Sequence, residues 1–123
     1  MKIVTTDNAP AAIGPYSQAI KSKGFLFASG QIPVIPASGE IDGNSIETQA
    51  ERVMKNVESI LTAAGSDFQH VVKTTCFLAD MNDFAAFNAI YAKYFTGKPA
   101  RSCVAAKALP KGVLCEVELI AEV

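Results

Sequence analysis

An α+β fold, one mixed β-sheet with two helices on a single face, is what the order of elements in this sequence predicts. Two segments carry the apolar spacing of helices, and around them lie short, alternating, β-favouring runs. After a short opening strand the order is ββ-α-β-α-ββ. Right-handed crossovers then place both helices on the same side of the sheet. The chain has 123 residues and no repeat, low-complexity tract or linker, so residues 1–123 are read as a single domain.

Lys2 to Thr5 reads as the opening strand. Asn8 to Tyr16 contains Pro10, Gly14 and Pro15 and must be an ordered loop. Tyr16 to Ile20 and Phe25 to Ser29 make a hairpin around Lys23-Gly24. Gly30 to Gly43, with Pro33 and Pro36, is mostly turn, because proline cannot donate to a ladder. Ser45 to Ala64 is the clearest helix: Ile46, Ala50, Val53, Met54, Val57, Ile60, Leu61 and Ala64 fall on one stripe. Ser45 suits the N-cap, Glu47 the first turn and Gly65 the stop. Val71 to Ala79 alternates as a strand. Asp83 to Phe95 is the second helix, with Phe84, Phe87, Tyr91, Tyr94 and Phe95 inward, and Pro99 bars its continuation. Arg101 to Ala106 and Leu114 to Glu122 are the last strands, joined through the Pro110-Lys111-Gly112 turn.

The composition narrows the function classes. Half the residues are hydrophobic and 19% are charged, which suits a packed core rather than disorder. The net charge of -1 offers no basic surplus, so no nucleic-acid partner is expected. No apolar run is long enough for a membrane span, and no signal-peptide pattern opens the chain, so a cytoplasmic location is expected. Cys76, Cys103 and Cys115 are an odd count without a CxxC pair, and His70 is the only histidine. Neither a metal site nor a disulfide framework is expected from these, and His70 reads as a surface or structural residue.

With both helices on one face, the other face of the sheet lacks a cover. Thr75, Phe77, Glu116, Glu118 and Ile120 belong to it if alternation holds, and self-association is the economical way to bury it.

Arg101 is the leading candidate for chemistry. Of the two arginines, Arg52 sits among Glu51 and Lys55 on the polar side of the first helix and reads as a solvated charge. Arg101 opens the apolar strand Ser102-Cys103-Val104-Ala105-Ala106 and needs an anion, which its fork grips bidentately. An internal pair with Glu116 or Glu118 would also satisfy it. If the last two strands paired, Arg101, Cys103 and one or two of these carboxylates would line one sheet face, able to bind a small carboxylate and activate water. A charged face in solvent is the alternative. Cys103, with no basic partner, reads as a small hydrophobe. Tyr16 and the Ala28-Ser29-Gly30-Gln31 turn offer a phenol and backbone N–H groups.

Taken in order, the stretches Asn8-Ala9-Pro10-Ala11-Ala12-Ile13-Gly14-Pro15-Tyr16-Ser17-Gln18, Ser29-Gly30-Gln31-Ile32-Pro33, Val72-Lys73-Thr74-Thr75, Met81-Asn82-Asp83-Phe84 and Pro99-Ala100-Arg101-Ser102-Cys103-Val104 with Leu109-Pro110 resemble the RidA/YjgF family over almost the whole chain. The resemblance implies a chorismate-mutase-like fold and a homotrimer with a central β-barrel and clefts between subunits. It implies hydrolysis of 2-aminoacrylate/2-iminopropanoate and 2-iminobutanoate to 2-oxo acids and ammonia, without cofactor or metal. By position, Arg101 would bind the carboxylate, the main chain at Cys103 would meet the imine nitrogen, and Glu116 would handle water. Tyr16, Ser29, Gly30 and Asn88 would complete the pocket. The Thr96-Gly97-Lys98 connection is shorter than in the deaminase branch. The rival readings are a non-catalytic metabolite-binding regulator and a ribonuclease or translation inhibitor.

Overall fold

In the computed structural model, which describes residues 1–123, eight main elements follow the expected order. They are β1 (Lys2–Val4), β2 (Ala19–Ser22), β3 (Phe25–Gln31), α1 (Ile46–Ala63), β4 (Val71–Leu78), α2 (Phe84–Tyr94), β5 (Ala100–Ala105) and β6 (Cys115–Glu122). The six strands form one mixed sheet in the order β1-β2-β3-β6-β4-β5. β4 and β5 run parallel, joined by α2, while β6 is antiparallel to both of its neighbours, β3 and β4.

The last two strands are therefore not partners. β4 lies between them, because a strand–helix–strand crossover pairs its own two strands in parallel. The register then fixes the faces. Thr74 stands beside Arg101 and Leu119, and Cys76 beside Cys103 and Val117. On the opposite face Phe77 stands beside Glu116, and Thr75 beside Glu118.

Both helices cover the first of these faces. The predicted α1 stripe from Ile46 to Ala64 is buried in full and packs on Leu26, Val117, Leu119 and Ala121 in a single core. Each fully buried Val, Ile or Leu contributes about 1.5–3 kcal/mol, against at most about 0.7 kcal/mol of intrinsic helix preference. Burial, not propensity, holds this helix. Ser45 Oγ accepts the Thr48 amide at 3.2 Å. At the other end the Gly65 and Ser66 amides donate to Thr62 and Leu61 at 3.0 and 2.8 Å, a closure that needs the left-handed Gly65 (φ 78°).

The second face is open. It carries the predicted Thr75, Phe77, Glu116, Glu118 and Ile120, and beside them large apolar side chains in water: Ile3 is 60% exposed and Phe27 47%. The sheet buries one side and leaves the other without a partner.

Two local readings change. The hairpin strand starts at Ala19 rather than Tyr16, because the buried Gln18 uses its amide to tie down the preceding loop. Its Oε1 accepts the Thr6 amide at 2.7 Å, and its Nε2 donates to the Thr6 and Pro10 carbonyls at 3.0 and 2.8 Å. Arg52 is not a free charge: its Nε pairs with Asp42 at 2.9 Å and anchors the Gly30–Gly43 segment to α1.

A candidate active site in two halves

Arg101 leaves β5 on the helix-covered face and lies against α2. Its guanidinium carbon sits 4.6 Å from the Tyr91 ring centroid and 5.5 Å from that of Phe84, and Nη1 donates to Asn88 Oδ1 at 2.5 Å. Phe84, Asn88 and Tyr91 are one and two turns apart on α2, so a single stripe of that helix holds the arginine. No carboxylate pairs with it. The three ion pairs of the structure are Arg52–Asp42, His70–Asp67 and Lys93–Glu51. The internal pairing of Arg101 with Glu116 or Glu118 is thus absent, and the fork retains unused donors. They border a cleft of about 640 Å³ lined by Asn88, Tyr91, Phe95, Lys98 and Arg101.

Cys103 lies two residues on, on the same face and partly buried against the core. Burial pushes its thiol pKa up, only partly opposed by Arg101. The thiol therefore stays protonated and is a poor nucleophile, as expected for a lining group.

Glu116 sits on the other face of the sheet, half-buried. Burial first, and the neighbouring Glu118 second, raise its carboxyl pKa above the ordinary value. It borders a separate cleft of about 610 Å³ together with Tyr16, Ser29, Gly30 and Lys111. The register of β3 against β6 slips between Ala28 and Gln31, so three steps on β3 oppose two on β6. This bulge at Ser29-Gly30 turns the strand edge into the cleft wall. Gly30 leaves room for the carboxylate to approach closely: a Cβ would overlap Glu116 Oε2 and stand 2.9 Å from its Cδ. Ser29 Oγ donates to the Ser17 carbonyl at 2.6 Å, tying the bulge to the loop that presents Tyr16.

The seven candidate residues thus fall into two sets. Tyr16, Ser29, Gly30 and Glu116 share one cleft; Arg101 and Asn88 share the other, with Cys103 on the same sheet face as Arg101. The reading in which paired last strands bring arginine and carboxylate to a single face is overturned by the register: Arg101 stands beside Thr74 and Glu116 beside Phe77, on opposite faces of β4. Sequence reasoning also passed over Tyr91 and Phe84 as site residues. Their spacing around Asn88 was the available signal, but aromatic residues on a helix read first as core. His70 is exposed and bonded to Asp67 at 2.8 Å, outside both clefts.

Comparison with known proteins identifies the family and matches the fold. Residues 6–123 match the model of the family described as Endoribonuclease L-PSP. A Lactococcus lactis protein that bears the name of a regulator, AldR, is 60% identical over 100% of this chain and 98% of its own. The mouse 2-iminobutanoate/2-iminopropanoate deaminase is 48% identical over 98% of this chain and 90% of its own. Among solved structures, the Rid-family protein YyfA from Yersinia pestis is 50% identical, with a TM-score of 0.97 over 99% of this chain and 98% of that one. With a match from Thr6 to its last residue, this chain belongs to the endoribonuclease L-PSP family, also known as RidA/YjgF.

Proposed function

We propose that this protein hydrolyses small 2-imino acids, 2-iminopropanoate and 2-iminobutanoate among them, to 2-oxo acids and ammonia, in clefts shared between copies of a homotrimer. The observation that carries the proposal is the division of the site. An arginine with unused donors and a half-buried carboxylate lie on opposite faces of one sheet. A second copy is needed to bring one to the other. The open apolar face supplies a reason for copies to associate, and closing three such sheets on each other would form the barrel.

The chemistry needs few parts. Arg101 grips the substrate carboxylate and fixes the C=N carbon relative to the wall of the cleft. The main chain at Cys103 accepts or donates at the imine nitrogen. Glu116 takes a proton from water as the oxygen adds to that carbon and passes it to the imine nitrogen, then moves the remaining hydroxyl proton to nitrogen as the C=O forms and the C–N bond breaks. One water is consumed and one ammonia leaves. A carboxyl pKa raised toward neutrality suits this two-way proton transfer better than an ordinary one. Nothing in these steps requires a cofactor.

The regulator's name on a relative 60% identical favours a second reading, a carboxylate-binding protein without turnover. Both readings are tested by one experiment. An imine generated in the cuvette is followed for ammonia and 2-oxo acid release with and without the protein. Accelerated release supports the deaminase; saturable binding of 2-oxobutanoate without acceleration supports the regulator.

A further inference from the structure

The hold that α2 keeps on the half-buried Arg101 is more elaborate than a cleft-side charge needs. Tyr91 is buried, and its ring lies against the guanidinium at 4.6 Å. It is stacked on Phe95 at 4.4 Å with 26° between the planes. Its phenol oxygen is 2.7 Å from the hydroxyl of Thr74, a fully buried residue of β4 directly beside Arg101 in the sheet. Ring position is therefore fixed from both sides, by a stacked aromatic and by a hydrogen bond to the strand that neighbours the arginine. Asn88 Oδ1 then takes one N–H and sets the rotation within the plane.

We propose that Tyr91 is a positioning residue, a rigid shelf that fixes the guanidinium plane so that its unused donors meet a carboxylate edge-on. A flexible side chain would otherwise spend its rotamer freedom on each binding event; the shelf removes that cost beforehand. Cation–π contact to an aromatic face suits a planar guanidinium and fits an ammonium less well. The inference rests on the reading of Arg101 as a carboxylate clamp, but the shelf itself is observable without activity.

The chain has only two arginines, so the ¹⁵N spectrum of guanidinium Nε–H groups should show two signals, and Arg101→Lys assigns one of them. The Arg101 signal should lie upfield through the ring current of Tyr91. Tyr91→Leu should abolish that shift and raise both KM for the imine and Ki for 2-oxobutanoate by about ten- to a hundred-fold, with a smaller change in kcat. Tyr91→Phe keeps the ring and should recover most of the shift and affinity. Thr74→Val, which keeps the shape and releases the phenol together with the weak 4.0 Å contact from the Cys76 thiol, should move both readouts part of the way in the same direction, and covers the case of a Leu variant that does not fold. An Arg101 signal without a ring-current shift would overturn the proposal, as would unchanged KM and Ki in a folded Tyr91→Leu. If the wild type neither hydrolyses an imine nor binds 2-oxobutanoate, the deaminase reading falls. The spectrum then decides alone: a shift lost in Tyr91→Leu upholds the shelf, and no shift removes it.

Discussion

If the protein hydrolyses imines as proposed, Gly30→Ala should separate catalysis from folding at this site. The backbone at Gly30 is not left-handed, so alanine strains nothing in the chain itself. The added Cβ instead overlaps Glu116 Oε2 and reaches 2.9 Å from Cδ and 3.1 Å from Cγ. Ordinary carbon contacts lie near 3.5–4.0 Å, so the carboxylate must swing away by roughly an ångström. The obstacle is the far end of a flexible side chain, and the cost to stability is therefore small. Misplacing a reacting group by that distance can cost about a hundred-fold in rate. The expected result is a kcat lowered by about that factor, with melting temperature, mass and KM close to wild type, because Arg101 belongs to the other half of the site. Steady-state hydrolysis of 2-iminobutanoate, with light scattering and thermal melts, measures all four. In a Glu116→Gln background the same substitution should add little, since the group it displaces is already disabled. A folded Gly30→Ala protein with near-normal kcat would refute the argument that the bulge sets the position of Glu116.

Four further outcomes follow from the same geometry. Arg101→Ala should abolish deamination while leaving the melting temperature nearly unchanged, and lysine should rescue poorly because an ammonium lacks the fork; activity and melts on both variants check this. Glu116→Gln should lower kcat by about a hundred- to ten-thousand-fold, whereas Glu118→Gln should be mild. The wild-type kcat should fall on acidification through the raised pKa of Glu116, at a higher pH than an ordinary carboxylate would give. For stability the sign is opposite: a carboxyl with a raised folded pKa costs stability above its unfolded pKa. Glu116→Gln should therefore melt higher than wild type at neutral pH, with the difference vanishing in acid.

Much of the fold is legible in the chain. The α1 stripe, its Ser45 cap and its Gly65 stop are local signals, and each sits where spacing puts it. Alternation along β6 sorts Cys115, Val117, Leu119 and Ala121 from Glu116 and Glu118 correctly. What alternation cannot supply is the neighbour of a strand. Arg101 and Glu116 each lie on a definable side of their own strand, but whether these sides coincide depends on the register of β5 and β6 against β4 between them. The crossover rule for β4, α2 and β5 points to the neighbour, but the register that sets the faces is not in it. The side-chain amides that tie the loops are harder to read. Gln18, Gln49 and Asn56 are buried, and they bond to backbone up to 65 residues away in sequence. No periodic pattern distinguishes them from exposed amides. Residue chemistry pointed to Arg101, the Glu116/Glu118 pair and the Tyr16 and Ser29-Gly30 segments, and the RidA/YjgF resemblance added Asn88 and chose Glu116, whereas their division between two faces came from the strand register.

That division is tested most directly by mixing two disabled chains. Arg101→Ala and Glu116→Gln homotrimers should each be inactive. Co-expressed in equal amounts, they should form mixed trimers in which some clefts join an intact Arg101 face to an intact Glu116 face. Random assembly makes about a quarter of the clefts competent, so roughly a quarter of wild-type activity should return. Recovery near that level means that arginine and carboxylate come from different copies. No recovery, with mixed trimers confirmed by mass, would mean that the working site lies within one chain and would contradict the account.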